Sequence, residues 1–174
     1  MIPLFKVSMS EDVVKPLGEV ITSGFIGQGP KVEEFESLLS DYFGNPHCTT
    51  LNSATSGLTL AYRLLGLRPG DEVLTSALTC TATNWPILAN GLKIKWVDVD
   101  PNTCNMDLND LRRKISKDTK AICVVHWGGY PLDLDELKKI QEESKDKFGH
   151  FIPIVEDCAH SMGSEYKEKK LGNH

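Results

Sequence analysis

The sequence predicts an α/β fold, a three-layer α/β/α arrangement in which a mostly parallel, mixed sheet lies between helices. Two observations predict it. Helical and strand patterns alternate along the chain, and most strand segments are short apolar runs, as expected for strands that are covered on both faces. The chain of 174 residues is long enough for one domain with a sizeable core, and it shows no repeat, low-complexity tract or linker.

Helices are predicted where apolar residues recur with a helical period between capping residues. Ser10, Asp107 and Asp133 are plausible N-caps. Gly24 and Gly44 stand just after the ends of two of the periodic segments. The predicted helices are Ser10–Ser23, Val32–Tyr42, Thr55–Leu65, Thr81–Asn90, Leu108–Ile115 and Leu134–Ser144.

Strands are predicted where short apolar runs lie between turn residues. Right-handed crossovers between parallel strands would bring the strand-to-helix loops to one edge of the sheet. We therefore expect the loops Asn52–Ser56, Ser76–Thr81, His126–Tyr130 and Asp157–His160 to gather there. The strands are Cys48–Leu51, Glu72–Thr75, Ile94–Val99, Ala121–Val125 and Phe151–Val155.

Composition and charge exclude several classes of protein. The net charge is −5 and the pI is about 5.5, which argues against a basic nucleic-acid-binding face. No apolar run is long enough to cross a membrane, and the first six residues lack the apolar core of a secretory signal. The five cysteines form no Cys-x-x-Cys pair, and the five histidines have no metal-ligand spacing. We therefore expect a cytoplasmic protein with buried free thiols and no metal.

Two acids, Glu156 and Asp157, stand where the last predicted strand should end. Ligands of open α/β sheets bind beyond the carboxyl ends of strands. A carboxylate at that position can hold a protonated ring nitrogen, and His160 can reach a neighbouring ring oxygen. Pyridoxal phosphate (PLP) requires such a partner, because a protonated pyridine makes the cofactor an electron sink. The simpler interpretation is that the two acids end the strand and cap a turn.

The loop Asn52–Gly57 joins a predicted strand to a helix. Its small side chains allow close approach of a ligand, and the N–H groups at the start of a helix attract an anion. The hydroxyls of Ser53, Thr55 and Ser56 add donors. The composition of the loop is therefore that of a phosphate site. The alternative interpretation is an ordinary N-cap by Asn52 or Ser53.

The two remaining loops carry weaker signals. Cys80 precedes a helix with no His or Lys adjacent in sequence, so we interpret it as a packing residue and not as a nucleophile. His126 either faces the ligand or is a strand-end histidine whose hydrogen bonds are satisfied, and we favour the second interpretation. The pair Gly128-Gly129 predicts a tight turn or a close backbone approach.

Together these segments resemble the DegT/DnrJ/EryC1/StrS family of PLP-dependent sugar aminotransferases of fold type I. The resemblance covers nearly the whole chain. Its last block, which continues to Gly163 and Tyr166, is the most specific. The matching segments are Gly27–Pro30 with Phe35-Glu36, Asn52–Leu58, Val97–Asp100 before Thr103, His126 with Gly129, and Glu156–His160.

The resemblance implies roles for individual residues. Asp157 would pair with the pyridine nitrogen of PLP, and His160, where many members carry Gln, would bind the phenolic oxygen. The loop residues Ser53, Ala54 and Thr55 would bind the phosphate. Cys80 stands where many members place an aromatic side chain that stacks on the ring, which reduces the expected stacking area.

The resemblance also implies a sugar aminotransferase that acts on a nucleotide-linked keto-deoxysugar, with glutamate as amino donor and a homodimeric assembly. Residues 1–174 would supply the N-terminal segment and most of the PLP-binding large domain. The C-terminal small domain and the Schiff-base lysine would lie beyond His174, because Lys170–Asn173 matches only the entry to the lysine segment. Lys167 and Lys169, like Lys170, are interpreted as a solvated turn. No catalytic residue is therefore expected within the chain, and the chain alone is expected to be inactive.

Three alternatives remain open. Some relatives replace the lysine with histidine and act as PLP-dependent sugar 3-dehydratases. A truncated, non-catalytic domain would have no affinity for the cofactor. A plain nucleotide-binding α/β domain would need a glycine loop directly after its first strand, whereas the loop at Asn52 contains only Gly57.

Overall fold

The computed structural model describes residue 2 and residues 6–174. The N-terminal stretch in which we expect no secretory signal lies mostly outside the described residues. The chain forms two compact units, one that ends at Thr50 and one that runs from Leu51 to His174. Within the described part of the chain, no helix has both the length and the apolar character needed to cross a bilayer.

The first unit contains a 3₁₀ turn at Glu11–Val13 and two helices, α1 (Val14–Ser23) and α2 (Pro30–Phe43). The hydroxyl of Ser10 accepts the N–H of Asp12 and so caps this first helical segment, as predicted. The glycines that follow α1 and α2 adopt left-handed backbone angles that suit this residue.

The predicted strand at Cys48–Leu51 is wrong, because the structure has no strand there. The backbone N–H of Thr50 instead donates to the carboxylate of Glu36 at 2.7 Å, and the Thr50 hydroxyl donates to the same oxygen at 2.8 Å. Because a side chain takes this N–H, it is not available to a strand ladder.

The second unit contains a four-stranded sheet in the order β2-β1-β3-β4, and every pair is parallel. Its strands are β1 (Glu72–Ser76), β2 (Lys93–Val97), β3 (Thr119–Val125) and β4 (Ile154–Asp157). A separate antiparallel hairpin contains β5 (Glu165–Tyr166) and β6 (Lys169–Lys170). The last strand begins later than predicted and continues to Asp157, so both acids belong to it.

Four helices cover the sheet: α3 (Ala54–Leu64), α4 (Thr81–Ala89), α5 (Leu108–Lys114) and α6 (Leu134–Phe148). Asp107 and Asp133 cap the last two through their carboxylates, as predicted. A short 3₁₀ turn, Trp127–Gly129, follows β3.

The sheet separates two apolar cores. Alternate residues of β3 face opposite sides, so Ile122 packs with residues of α5 and α6, and Cys123 packs with residues of α3 and α4. This arrangement confirms the α/β/α class.

The strand order reverses between β1 and β3. One connection leads from β1 to β2 on one side, and the next returns across β1 to β3. A crevice at such a reversal, beyond the carboxyl ends of the strands, is the usual ligand site of an open α/β sheet.

Candidate functional site

Asp157 is the last residue of β4 and lies at the carboxyl edge of the sheet. Its backbone is held by the ladder, where it pairs with Val125, and its carbonyl oxygen accepts the N–H of His126 at 3.4 Å. The residue is 7% exposed. Its Oδ2 accepts the hydroxyl of Thr83 at 2.7 Å, and its Oδ1 accepts the N–H of Ala159 at 3.1 Å.

The buried carboxylate of Asp157 pairs with no basic side chain in the described part of the chain. Among residues 2 and 6–174, no salt bridge involves Asp157. The buried neighbours Cys123 and Tyr62 stay neutral, because burial raises the pKa of the Cys123 thiol to about 12 and raises that of the Tyr62 phenol. The carboxylate thus has two hydrogen-bond donors but no counter-charge from these side chains.

His160 is exposed, and its ring is held from one side. Its Nδ1 lies 3.3 Å from the N–H of Gly128, which donates to it. The ring also meets that of Trp127 edge to face, with 5.4 Å between the centroids. Because Nδ1 accepts a hydrogen bond, the neutral ring carries its proton on Nε2, which can therefore donate to a ligand.

The turn after β3 passes very close to the segment that carries His160. A Cβ at Gly129 would lie 2.9 Å from the carbonyl oxygen of His160, and the φ angle of Gly129 is +82°. Both features exclude a side chain, so the predicted close approach is confirmed. The amide of buried Asn105 braces the same turn, accepting the N–H of Trp127 at 2.8 Å and donating to the carbonyl of Tyr130 at 2.9 Å.

His126 is fully buried, and both of its ring nitrogens have partners. Nδ1 accepts the N–H of Leu132 at 3.1 Å, so the proton lies on Nε2, which donates to Glu156 at 2.9 Å. The interpretation of His126 as a satisfied strand-end histidine is confirmed. The Sγ of Cys158 lies within 4.8 Å of this pair. The Nε2 proton nevertheless excludes this nitrogen as a metal ligand in the neutral ring.

The loop before α3 caps the helix but leaves two backbone N–H donors without a partner within the helix. The Ser53 hydroxyl accepts the N–H of Ser56 at 3.1 Å, so Ser53 is the N-cap that the simpler interpretation expected. The N–H groups of Ala54 and Thr55 precede the first intrahelical bond, which runs from Gly57 to Ser53. Ser53 and Thr55 line an open cavity of about 380 Å³ together with Trp85 of α4.

Helix α3 points its N-terminus toward the carboxyl edge of the sheet. Near its C-terminus, Arg63 donates to Asn90 at the C-terminal end of α4 at 3.0 Å, and each helix ends a few residues before the start of a parallel strand, β1 after α3 and β2 after α4. The two helices therefore run in the same direction. Since α4 starts after the carboxyl end of β1, the start of α3 lies on that same side.

Cys80 is the N-cap residue of α4 and is exposed. The expectation of buried thiols is therefore wrong for this residue, although all five cysteines are free as predicted and Cys123 is fully buried.

Hydrogen bonds connect three of the four predicted loops. Thr83, two residues after the second loop, donates to Asp157 in the fourth, and Gly128 in the third donates to His160 in the fourth. The first loop faces the same edge through the orientation of α3. Thr83 and Asn105 were missed by the sequence analysis. Their roles depend on bonds that span 74 and 22 to 25 positions, and no local pattern marks such bonds.

Comparison with known proteins identifies relatives over the whole chain. Residues 7–174 match the profile of the DegT/DnrJ/EryC1/StrS aminotransferase family. The UDP-4-amino-4-deoxy-L-arabinose–oxoglutarate aminotransferase of Shewanella sediminis is 36% identical over 98% of this chain and 42% of its own length.

Two solved structures are similar throughout. AtS13 from Actinomadura melliaura is 52% identical with a TM-score of 0.96, over 100% of this chain and 47% of its own. A GDP-4-keto-6-deoxymannose-3-dehydratase with trapped PLP-glutamate is 29% identical with a TM-score of 0.89, over 98% of this chain and 44% of its own. The chain thus spans less than half the length of these relatives.

Proposed function

The chain belongs to the DegT/DnrJ/EryC1/StrS aminotransferase family, and we propose that it forms the PLP-binding part of a sugar aminotransferase. The family is PLP-dependent, and the structural relatives include a PLP-containing protein. We further propose a nucleotide-linked keto-deoxysugar as substrate, glutamate as amino donor, and the cytoplasm as location.

The single observation that carries the proposal is the uncompensated carboxylate of Asp157. It is 7% exposed and forms no ion pair in the described part of the chain. A buried charge without a counter-charge is costly. The protonated pyridine nitrogen of PLP supplies both a positive charge and an N–H donor, so its chemistry fits this oxygen acceptor.

His160 and the start of α3 fit the other polar groups of the cofactor. The Nε2–H of His160 can donate to the phenolic oxygen. The N–H groups of Ala54 and Thr55, with the Thr55 hydroxyl, can bind the phosphate at a helix N-terminus. The Ser53 hydroxyl already caps the Ser56 N–H, so Ser53 would orient this loop and bind phosphate only as a second contact.

When bound, PLP would supply an electron sink for the carbon next to the transferred nitrogen. The residues of this chain would bind and orient it: Asp157 would hold the proton on the ring nitrogen, His160 would fix the phenolic oxygen, and Cys80 would lie beside the ring. None of them would act as the nucleophile or base of the transfer.

The lysines of the β5–β6 hairpin do not suit a nucleophilic role. Lys167 pairs with Asp135, whose carboxylate raises the pKa of the Lys167 ammonium and so favours the charged form. Lys170 pairs with Glu165 at 3.0 Å. We therefore propose that neither Lys167 nor Lys170 forms the Schiff base.

A sugar 3-dehydratase is the second candidate, because the dehydratase of known structure shares the fold over 98% of the chain. The two functions would use the same residues for the ring and phosphate. They would differ in the residue, Lys or His, that meets the aldehyde carbon.

An exposed apolar surface supports a homodimer. The neighbouring helices α3 and α4 expose large apolar side chains beside the proposed phosphate loop, and such patches usually mark interfaces. A second copy would cover this surface next to the site, and sedimentation of a Trp85→Asp variant tests it: the wild type should be dimeric and the variant monomeric. The exposed apolar side chains of this surface are those of Leu60, Leu64, Trp85 and Leu88.

The cofactor proposal is tested by titrating the purified protein with PLP and following the absorbance of the bound form. We expect saturable binding that weakens at least tenfold in Asp157→Asn, which removes the charge but keeps the shape. Asp135→Asn, a change in an exposed carboxylate of α6, is the matched control and should bind like the wild type. Equal affinity of the Asp157 variant and the wild type would refute the proposal.

The reaction is tested with PLP, glutamate and a nucleotide-linked 4-keto-6-deoxysugar. For residues 1–174 we expect no sustained turnover. For the chain extended by its downstream sequence we expect an amino sugar, detected by mass spectrometry. A deoxygenated keto sugar would instead identify the dehydratase.

A further inference from the structure

Thr83 donates a hydrogen bond to the carboxylate of Asp157, which we propose holds the cofactor ring. The hydroxyl is 2.7 Å from Oδ2, and Thr83 is 1% exposed. The other oxygen, Oδ1, accepts the N–H of Ala159. With one donor on each oxygen, the plane of the carboxylate is fixed.

The direction of these hydrogen bonds follows from the chemistry of the groups. An ionised carboxylate only accepts, so the Thr83 hydroxyl donates its single proton to Asp157. The Thr83 oxygen then accepts from the hydroxyl of Thr79, which lies 2.7 Å away. Thr79, Thr83 and Asp157 thus form a chain of two hydroxyls that ends on a carboxylate, and each bond polarises the next.

We propose that Thr83 is a positioning residue for the cofactor ring, and that Thr79 fixes the direction of the Thr83 hydroxyl. The proposal rests on the function proposed above. Oriented in this way, Asp157 presents its remaining lone pairs to the pyridine nitrogen. Thr83 itself does not touch the reacting atoms.

A role in packing alone would make a different prediction. Thr83 lies in the first turn of α4, and a methyl group could fill the same volume. Valine has the shape of threonine without the hydroxyl, whereas serine keeps the hydroxyl and loses the methyl. These two variants separate hydrogen bonding from packing.

The experiment compares PLP binding and the protonation of the ring nitrogen in the wild type, Thr83→Val, Thr83→Ser and Asp157→Asn. The nitrogen is observed with ¹⁵N-labelled PLP by NMR, which needs no turnover. We expect Thr83→Val to weaken binding about tenfold, as for loss of a hydrogen bond to a charged group. Its ring nitrogen signal should move toward the unprotonated position. Thr83→Ser should restore both the affinity and the signal.

The outcomes distinguish this inference from the proposed function. If the wild type does not bind PLP, or if Asp157→Asn binds as well as the wild type, both fail. If Asp157→Asn loses affinity while Thr83→Val keeps the wild-type affinity and signal, only the role of Thr83 fails. A defective Ser variant beside a normal Val variant would indicate packing, and equal defects in both would show that the hydroxyl does not set the affinity; either result would also overturn it.

A second variant covers the case in which Thr83→Val does not fold. Thr79 is half-buried, and Thr79→Val leaves the Thr83 bond in place but removes the donor that directs it. We expect a loss of affinity of about two- to threefold, because the Thr83–Asp157 bond would no longer be strengthened by the bond from Thr79. Wild-type affinity and signal in this variant, with thermal unfolding unchanged, would overturn the inference.

Discussion

The Nε2 of buried His126 donates to the Oε2 of Glu156 at 2.9 Å, and this bond joins the end of β3 to the end of β4. The other ring nitrogen accepts the N–H of Leu132. A neutral histidine is thereby held at the edge of the sheet beside the strand end that carries Asp157. The imidazole ring therefore stabilises this edge through its two hydrogen bonds and not through a charge.

We predict that Glu156→Ala lowers the free energy of unfolding by about 1–3 kcal/mol, because it leaves a buried N–H without an acceptor. Glu156→Gln keeps a side-chain oxygen at the same reach and should cost less than about 1 kcal/mol. Urea unfolding measures both. Equal losses would show that the bond to His126 does not stabilise the fold.

We predict that Gly129→Ala destabilises the protein by roughly 2–4 kcal/mol and weakens PLP binding. The new Cβ would meet the His160 carbonyl oxygen at 2.9 Å, and the left-handed backbone adds strain. Gly128→Ala is the matched control, because its φ is +59° but nothing lies within 4 Å of its Cβ. It should lose only about 1–2 kcal/mol from strain. Similar losses in both variants would contradict the close approach.

We predict that Cys80→Phe tightens PLP binding about two- to tenfold, because an aromatic ring would add stacking worth about 0.5–1.5 kcal/mol. Cys80 is exposed at the start of α4, so a larger side chain has room. Cys80→Ser should leave the affinity unchanged. Unchanged binding in the Phe variant would place Cys80 away from the ring, and weaker binding would show a clash instead of stacking.

We predict a pH-dependent contribution from Asp110, which is 5% exposed. The N–H of Asp98 and the side chains of Lys114 and Arg113 lower the pKa of its carboxyl from 3.8 to about 2. A lowered pKa stabilises the folded state above the ordinary value, and this stabilisation disappears as the pH falls from about 4 to about 2.

Asp110→Asn should therefore lower the free energy of unfolding by about 2 kcal/mol at pH 7. The difference from the wild type should shrink below pH of about 4. Urea unfolding at several pH values measures this, with Asp118→Asn as an exposed control. A difference that stays constant down to pH of about 2 would contradict the role of ionised Asp110.

Much of the fold was predictable because its signals are local. The caps of Asp107 and Asp133, and the glycines after α1 and α2, act within a few residues of the chain. The failed strand at Cys48–Leu51 shows the limit of such signals. An apolar run does not reveal that the Thr50 N–H is taken by Glu36, fourteen positions away.

The candidate site was predictable only in part for the same reason. Asp157 and His160 stand in a recognisable order, so they could be named from the sequence. Thr83 and Asn105 act through bonds between distant segments, and a lone threonine or asparagine has no distinguishing spacing. The predicted strand ends two residues too early because the apolar run stops at Val155, whereas the β3 ladder holds Glu156 and Asp157 in the strand.

Because Asp157 pairs with Val125 in the sheet, we expect the two ends of the proposed site to differ in local stability. Asp157 is held in the β3–β4 ladder, whereas Ala54 and Thr55 lie in a helix end outside any ladder and can fray on their own. Amide hydrogen exchange should therefore be faster at Ala54 and Thr55 than at Asp157. When PLP dissociates, we therefore expect the contacts to its phosphate to break before the contact to its ring nitrogen.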